Sequence, residues 1–210
     1  MKIAVVGAAG MVGSCVVDEA ASRGHKVVAV FRKARRTVLP PTVTAVEGDA
    51  TDRVRMSELF DGADAIVAAT RPAAGQEHTV TETTAALLDA AATTGTRILV
   101  VGGAAPLRIP GHPERLVLDT PEYVPAHVRA IAAASVAQWE TCRAHPADWV
   151  YLSPPALLEP GQRTGSYRRG TTTLITSADA TSRISAEDLA VAVLDELESP
   201  GGNGHFTVGY

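Results

Sequence analysis

The chain opens with three glycines spaced three residues apart, Gly7, Gly10 and Gly13, which join an apolar run at residues 2–6 to an amphipathic stretch at residues 11–23. An apolar strand, a glycine turn and a helix in this order are typical of the first unit of a parallel α/β sheet. In such a unit the first glycine permits a tight turn, the second lets backbone N–H groups approach an anion, and the third lets the helix pack closely. The spacing therefore predicts a nucleotide-phosphate site at a helix N-terminus.

The same residues loosely imitate an export signal, because Met1 and Lys2 precede an uncharged run that reaches Val17. A signal needs a compact apolar stretch followed by a polar, processed sequence. Here glycines interrupt the run, and a second apolar segment follows at residues 26–31. We therefore expect a cytoplasmic protein, with no membrane-spanning segment.

The chain has 210 residues, of which 46% are hydrophobic and 20% are charged. This is enough to bury a full core, so we expect a single domain over residues 1–210. The two cysteines, Cys15 and Cys142, have neither metal-ligand nor disulfide spacing, and we predict no bound metal. A formal charge of −4 argues against a nucleic-acid partner.

Apolar and amphipathic segments alternate along most of the chain. This pattern predicts an α/β fold, a Rossmann-type doubly wound parallel sheet with helices on both faces. The predicted strands are residues 2–6, 26–31, 43–47, 65–69, 97–101, 149–152 and 206–208, and the predicted helices are residues 11–23, 52–60, 77–94, 125–144 and 185–198.

Two segments, about 105–124 and 154–182, break this alternation, and the second is rich in Pro, Gly, Thr and Arg. Ligands of open α/β sheets bind at the carboxyl ends of the strands. We therefore predict that these segments form a small substrate-side extension around an apolar mouth, with Arg163 or Arg168 available to an anionic group. The apolar residues expected at the mouth are Leu107, Ile109, Leu116, Leu118, Tyr123, Leu157 and Leu158.

The residues after the second strand indicate which dinucleotide is bound. A carboxylate there would bind the adenosine ribose of NAD(H), but the chain has Phe31, Arg32 and Lys33, with Arg35 and Arg36 close behind. The guanidinium of Arg32 is suited to a 2′-phosphate, so we predict NADP(H) in preference to NAD(H). The alternative is that these cations form a solvated loop.

Loops after the other strands complete the predicted cofactor site. Asp49 would meet the adenine edge, although it could equally be a turn or helix-cap residue. Ser153 and Pro154 would touch the nicotinamide end, or merely give the strand a rigid exit. The full predicted set is Gly7, Ala9, Gly10, Met11, Val12, Phe31, Arg32, Lys33, Asp49, Ala50, Ala68, Ala69, Thr70, Gly102, Gly103, Ser153 and Pro154.

The chain resembles the atypical, single-domain members of the short-chain dehydrogenase/reductase superfamily, in the NAD(P)H-binding group with the flavin and biliverdin reductase type and the NmrA-like proteins. The residues that carry the resemblance are 2–13, 48–50, 62–65, 100–104, 152–154, 159–165 and 182–188. The resemblance implies an NADPH-dependent reductase. We expect a small hydrophobic or planar substrate: a carbonyl, enone, imine, quinone or flavin.

The usual Ser and Tyr-x-x-x-Lys set of that superfamily is missing. Tyr123 is followed four residues later by His127 instead of Lys, and Pro125 lies between them. Either Tyr123 or His127 could supply a proton, or they could be a loop aromatic and a first-turn histidine. Two other functions stay open: an NmrA-like NADP(H) sensor without turnover, and an epimerase or isomerase. We expect a monomer or a homodimer.

Overall fold

The computed structural model describes residues 1–33 and 39–210. Its strands are β1 (Lys2–Val6), β2 (Lys26–Phe31), β3 (Val43–Glu47), β4 (Ala65–Ala68), β5 (Ile98–Val101), β6 (Arg108–Ile109), β7 (His112–Leu116), β8 (Trp149–Ser153), β9 (Leu157–Glu159), β10 (Arg168–Gly170), β11 (Arg183–Ser185) and β12 (His205–Gly209). Its α-helices are α1 (Met11–Ser22), α2 (Arg53–Phe60), α3 (Val80–Thr94), α4 (Arg129–Ala144) and α5 (Ala186–Glu198).

Eight strands form one sheet in the order β10-β12-β8-β5-β4-β1-β2-β3. All neighbours in it are parallel except β10, a three-residue edge strand that pairs antiparallel with β12. The order runs outward from β1 in both directions, which is the doubly wound arrangement. The predicted Rossmann-type α/β fold is therefore confirmed.

The sheet separates two hydrophobic cores. Along β1, Ile3 and Val5 point to the core beneath α1 and α5, while Ala4 and Val6 point to the core beneath the helices of the opposite face. Side chains alternate between the faces because successive residues of a strand point to opposite sides. The central strands β4 and β5 are buried at every residue, which explains their continuous apolar sequence.

The predicted helix boundaries were close, with two instructive differences. The predicted helices at 77–94 and 125–144 each begin as a short 3-10 turn, Glu77–Thr79 and Ala126–Val128, before the α-helix starts. At the start of α5, the Ser185 hydroxyl accepts a hydrogen bond from the Asp188 backbone N–H, as expected for an N-cap.

The irregular segments contain strands that the sequence did not predict. β6 pairs with β7, and β9 pairs with β11, in two small sheets outside the main one. Each is five residues long or shorter, too short for an alternating pattern to stand out. Across residues 1–33 and 39–210, no helix is both long and apolar enough to span a membrane.

Candidate nucleotide-binding site

The glycine turn lies between the carboxyl end of β1 and the start of α1. Gly7 has φ +87°, and a Cβ there would lie 2.4 Å from the Ala69 carbonyl oxygen. A Cβ at Gly13 would lie 2.1 Å from the Gly7 oxygen, so the helix could not pack as it does with any side chain at this position. The conformational roles predicted for Gly7 and Gly13 are therefore confirmed.

The N-terminus of α1 is open. Gly10 is its N-cap, no described side chain caps it, and its first turn has no acidic residue. The first intrahelical backbone bond runs from Ser14 to Gly10, so the N–H groups of Met11, Val12 and Gly13 have no partner within the helix. Unpaired donors and the positive end of the helix dipole together favour an anion here, so the cradle fits a pyrophosphate.

The end of β2 places two cations beside this turn. Phe31 is buried, whereas Arg32 and Lys33 are exposed. Asp49 accepts hydrogen bonds from the backbone N–H and hydroxyl of Thr51, at 2.9 and 2.8 Å, and these bonds, with the nearby charge of Arg32, lower the pKa of Asp49. Asp49 is therefore a turn residue, the alternative role that its sequence context allowed.

The predicted positive patch extends further along the chain, to Arg35 and Arg36. These two residues lie outside the described ranges, so their contribution to the patch stays a prediction.

The exit from β4 carries a residue that the sequence analysis missed. Ala69 and Thr70 lie with their backbone against Gly7. The next residue, Arg71, is exposed and forms no hydrogen bond or ion pair with any residue in 1–33 or 39–210. Its signal in the sequence is a cation three residues after the end of a buried strand, a weaker form of the signal at Arg32, which follows its strand directly.

The loop after β5 packs closely against the side chains of Tyr151 and Ser135. A Cβ at Gly102 would lie 1.9 Å from the phenol oxygen of Tyr151, and a Cβ at Gly103 would lie 2.8 Å from the Ser135 hydroxyl oxygen. Both glycines were predicted because a cofactor needs close backbone approach. The structure gives a second reason for glycine at both positions: the Tyr151 and Ser135 side chains leave no room for a Cβ.

The loop after β8 begins with two buried residues. Ser153 and Pro154 are buried, and the Ser153 hydroxyl lies 2.9 Å from Nε2 of His205. Burial lowers the pKa of His205 to about 4, so the imidazole is neutral at physiological pH. The side chain of Ser153 is thus committed to the interior, and the contact of Ser153 and Pro154 with the nicotinamide end stays a prediction.

Tyr123 and His127, the two candidate proton donors, lie in different surroundings. The Tyr123 hydroxyl donates a hydrogen bond to the Ala180 carbonyl oxygen at 3.1 Å. His127 is exposed on the 3-10 turn and has no hydrogen-bond partner among the described residues. Pro125 separates the two because it begins a new turn, so Tyr123 and His127 do not share a helix face as a Tyr-x-x-x-Lys pair would.

The segments 104–128 and 171–181 form a unit that we call the cap. Its strand residue Arg108 exchanges backbone hydrogen bonds with Thr172 and Leu174, both at 2.8 Å, which joins the two segments. The cap has its own small core of buried side chains, with Tyr123, Ile109 and Leu118 packed against it. The members of this core are Leu107, Val117, Val124 and Leu174.

The prediction of an apolar mouth is therefore wrong for Leu107, which is fully buried in the cap core. Leu158 packs against the core beneath α1 and α5, and Leu157 is 49% exposed. The apolar residues of these segments mainly hold the cap together, because a small unit needs its own buried surface to stay folded.

The two arginines predicted for an anionic substrate group are already engaged. Arg163 forms a two-pronged ion pair with Glu19, with Nε and Nη2 at 2.7 and 2.9 Å from the carboxylate oxygens. Arg168 donates to the carbonyl oxygens of Thr176, at 2.9 Å, and Tyr210. Neither is free to bind an anion, and that prediction is wrong.

A cavity of about 420 Å³ runs along the outer face of α1. Three carboxylates lie around it, and the one guanidinium present is paired with Glu19. This lining would repel phosphate, so the cavity does not belong to the nucleotide site. The lining residues are Cys15, Asp18, Glu19, Ser22, Arg163 and Glu187.

The fold and the open glycine turn define a nucleotide-binding α/β protein. The profile of the NAD(P)H-binding family matches residues 7–200. The chain is 37% identical to the uncharacterised protein YwnB of Bacillus subtilis (strain 168), over 99% of this chain and 98% of that one. The chain therefore belongs to the NAD(P)H-binding family.

Two solved structures resemble the whole chain closely. A candidate epimerase from Bacteroides thetaiotaomicron is 33% identical, with a TM-score of 0.91 over 100% of this chain and 96% of that chain. A candidate NADH-flavin reductase from Streptococcus pneumoniae TIGR4 is 28% identical, with a TM-score of 0.86 over 100% and 99%. The similarity thus extends from the glycine turn through the cap.

Proposed function

We propose that this protein is an oxidoreductase that uses NADPH in preference to NADH and reduces a small planar or hydrophobic acceptor. The observation that carries the proposal is the N-terminus of α1, which no described side chain caps, above the glycine turn at the carboxyl edge of a doubly wound sheet. Membership in the NAD(P)H-binding family supports it. The similar S. pneumoniae structure, a candidate NADH-flavin reductase, favours an acceptor of the flavin type.

Four groups would hold the dinucleotide. The backbone N–H groups of Met11 and Val12 would bind the pyrophosphate, with the exposed guanidinium of Arg71, which has no partner in 1–33 or 39–210, as a counter-charge. Arg32, beside Lys33, would bind the 2′-phosphate that distinguishes NADPH from NADH. The turn at Gly102 would leave room for the nicotinamide, because it places no side chain in the way.

When bound, the reduced nicotinamide supplies the hydride. The contribution of the chain is to bind the cofactor, to hold the acceptor against the nicotinamide and to exclude water beneath the cap. Tyr123 is tethered to Ala180 and His127 is solvent-exposed, so neither is placed as a buried acid. An acceptor whose reduced form takes its proton from water fits such a site best.

A nucleotide sensor without turnover is the second candidate, and the tethered hydroxyl of Tyr123 favours it. An epimerase is less well supported, because it needs a positioned acid and base, whereas Tyr123 is bonded to Ala180 and His127 is exposed.

The test is a titration of the purified protein with NADPH and with NADH, followed by NADPH oxidation with flavins, quinones, enones and imines. Tight binding with turnover is the expected result. Binding without turnover of any acceptor would favour the sensor, and absence of nucleotide binding would refute both.

A further inference from the structure

A buried tyrosine fills the space directly behind the Gly102–Gly103 turn. Tyr151 lies on β8, next to β5, and is fully buried. Its ring is so close to the turn that a Cβ at Gly102 would lie 2.1 Å from the carbon bearing the hydroxyl. The position of this ring therefore limits how closely the Gly102–Gly103 turn can approach the core.

The phenol oxygen of Tyr151 connects three elements around the turn. It lies 3.0 Å from the Ser135 carbonyl oxygen and 3.1 Å from Oε1 of Gln138, both on α4. Gln138 in turn donates to the Thr84 hydroxyl on α3 at 3.2 Å. A chain of buried, satisfied polar groups such as this fixes the groups that it contains.

The turn itself contacts the same oxygen. The backbone N–H of Gly103 interacts favourably with the Tyr151 oxygen, which offsets part of the effect of burial on the hydroxyl. Burial nevertheless raises the pKa of Tyr151 far above its ordinary value, so the group stays protonated. Tyr151 is thus unsuited to proton transfer and well suited to holding the turn.

We propose that Tyr151 is a positioning residue for the nicotinamide half of the cofactor site, acting through the Gly102–Gly103 turn. The inference rests on the proposed function, because it requires a dinucleotide whose nicotinamide lies over this turn. The phenol ring and its oxygen support the turn from below, where a Cβ at Gly102 would lie 1.9 Å from that oxygen. The adenosine half of the site, at Arg32 on the far side of β1, is independent of it.

The test is Tyr151→Phe, which keeps the ring and removes the oxygen. We expect the Kd for NADPH to rise about fivefold, as for the loss of one hydrogen bond, while the Kd for adenosine 2′,5′-bisphosphate stays unchanged. That probe carries the 2′-phosphate but lacks the nicotinamide. In the protein without ligand, the Gly103 amide should exchange with solvent faster than in the wild type.

Tyr167→Phe is the matched control. The Tyr167 hydroxyl donates to Asp195 at 2.6 Å, on the opposite face of the sheet beside α5. Its removal costs a comparable hydrogen bond, so a general loss of stability would show in both variants. We expect it to leave both dissociation constants and the Gly103 exchange rate unchanged.

Several outcomes would overturn the proposal. An equal loss of affinity for NADPH and adenosine 2′,5′-bisphosphate in Tyr151→Phe would indicate general damage, and unchanged NADPH affinity would show that the turn needs no support. If Tyr151→Phe does not fold, Gln138→Leu carries the same test, with a smaller shift of about twofold in the same direction. A wild-type protein that binds no NADPH would instead refute the proposed function.

Discussion

The predicted crevice has a glycine-turn side and a cap side, which differ in whether their polar groups already have protein partners. Beside the glycine turn, the α1 N-terminus is uncapped and Arg71 has no partner among the described residues. On the cap side, Tyr123 is bonded to Ala180 and Arg168 to two carbonyl groups. Exposed donors without a protein partner are available to a ligand, whereas groups already bonded within the fold are not.

The largest expected effect comes from Gly7→Ala, a substitution within the glycine turn itself. The added Cβ meets the Ala69 oxygen at 2.4 Å in a backbone of positive φ, so we expect a loss of about 3 kcal/mol in the free energy of unfolding and at least about 100-fold in NADPH affinity. Chemical denaturation and nucleotide titration measure the two.

Gly24→Ala is its control. Gly24 also has positive φ, but nothing lies within 4 Å of the added Cβ. It should cost about 1 kcal/mol from strain alone, with unchanged NADPH affinity. Similar affinities in the two variants would contradict a special role for the glycine turn.

The second prediction concerns the pH dependence of stability at His205, a buried histidine on β12. His205 has a pKa of about 4 in the folded protein and its ordinary value, 6.5, in the unfolded chain. Between these values the unfolded state binds the proton, so the free energy of unfolding should fall as pH decreases from about 6.5 to about 4, by roughly 3 kcal/mol in total. Urea denaturation across this range measures it.

His205→Gln should flatten that part of the pH profile. The exposed His112, which faces Glu114, provides the control, and His112→Gln should leave the profile unchanged. An equal slope in the wild type and His205→Gln would show that His205 does not control acid stability.

The third prediction separates the two cofactors. Arg32→Gln should raise the Kd for NADPH about 20-fold and leave the Kd for NADH unchanged, because only NADPH carries the 2′-phosphate. Arg55→Gln is the control, since Arg55 is an exposed arginine on α2 paired with Glu58. Equal shifts for both cofactors would place Arg32 elsewhere on the nucleotide.

A smaller effect is expected at Arg71. Arg71→Gln should raise the Kd for NADPH and for NADH by the same factor, about fivefold, because the pyrophosphate is common to both. Isothermal titration with each cofactor is the measurement. A shift confined to NADPH would assign Arg71 to the 2′-phosphate instead.

The smallest expected effect tests the cap side. Tyr123→Phe should lower the free energy of unfolding by about 1 kcal/mol, the value of one hydrogen bond, and leave kcat within about twofold. Steady-state kinetics with any accepted substrate would measure the second quantity. A tenfold loss of kcat would restore Tyr123 as a proton donor and weaken the contrast between the two sides of the crevice.

Sequence reasoning was accurate where the cause is local. The bounds of β1, β2 and β3 follow from apolar runs closed by turn residues, and the glycine spacing gave the conformation at Gly7 and Gly13. The family resemblance also holds, since the NAD(P)H-binding family matches nearly the whole chain.

The errors lie where a partner is distant in the sequence. Arg163 is paired with Glu19, 144 positions away, and Tyr123 reaches Ala180, 57 positions away. No local pattern reveals that such groups are already satisfied. Arg71 was missed for a related reason, because its lack of a partner becomes visible only once the neighbouring chain is in place.

The short edge strand β10 also affects how the protein can associate. A sheet edge exposes unpaired backbone groups onto which another chain could add as a new strand. Here the edge is only three residues long and carries two arginines, Arg168 and Arg169, whose side chains are held by their own chain. Short length and charge both discourage strand addition, so self-association through sheet extension is suppressed at this edge.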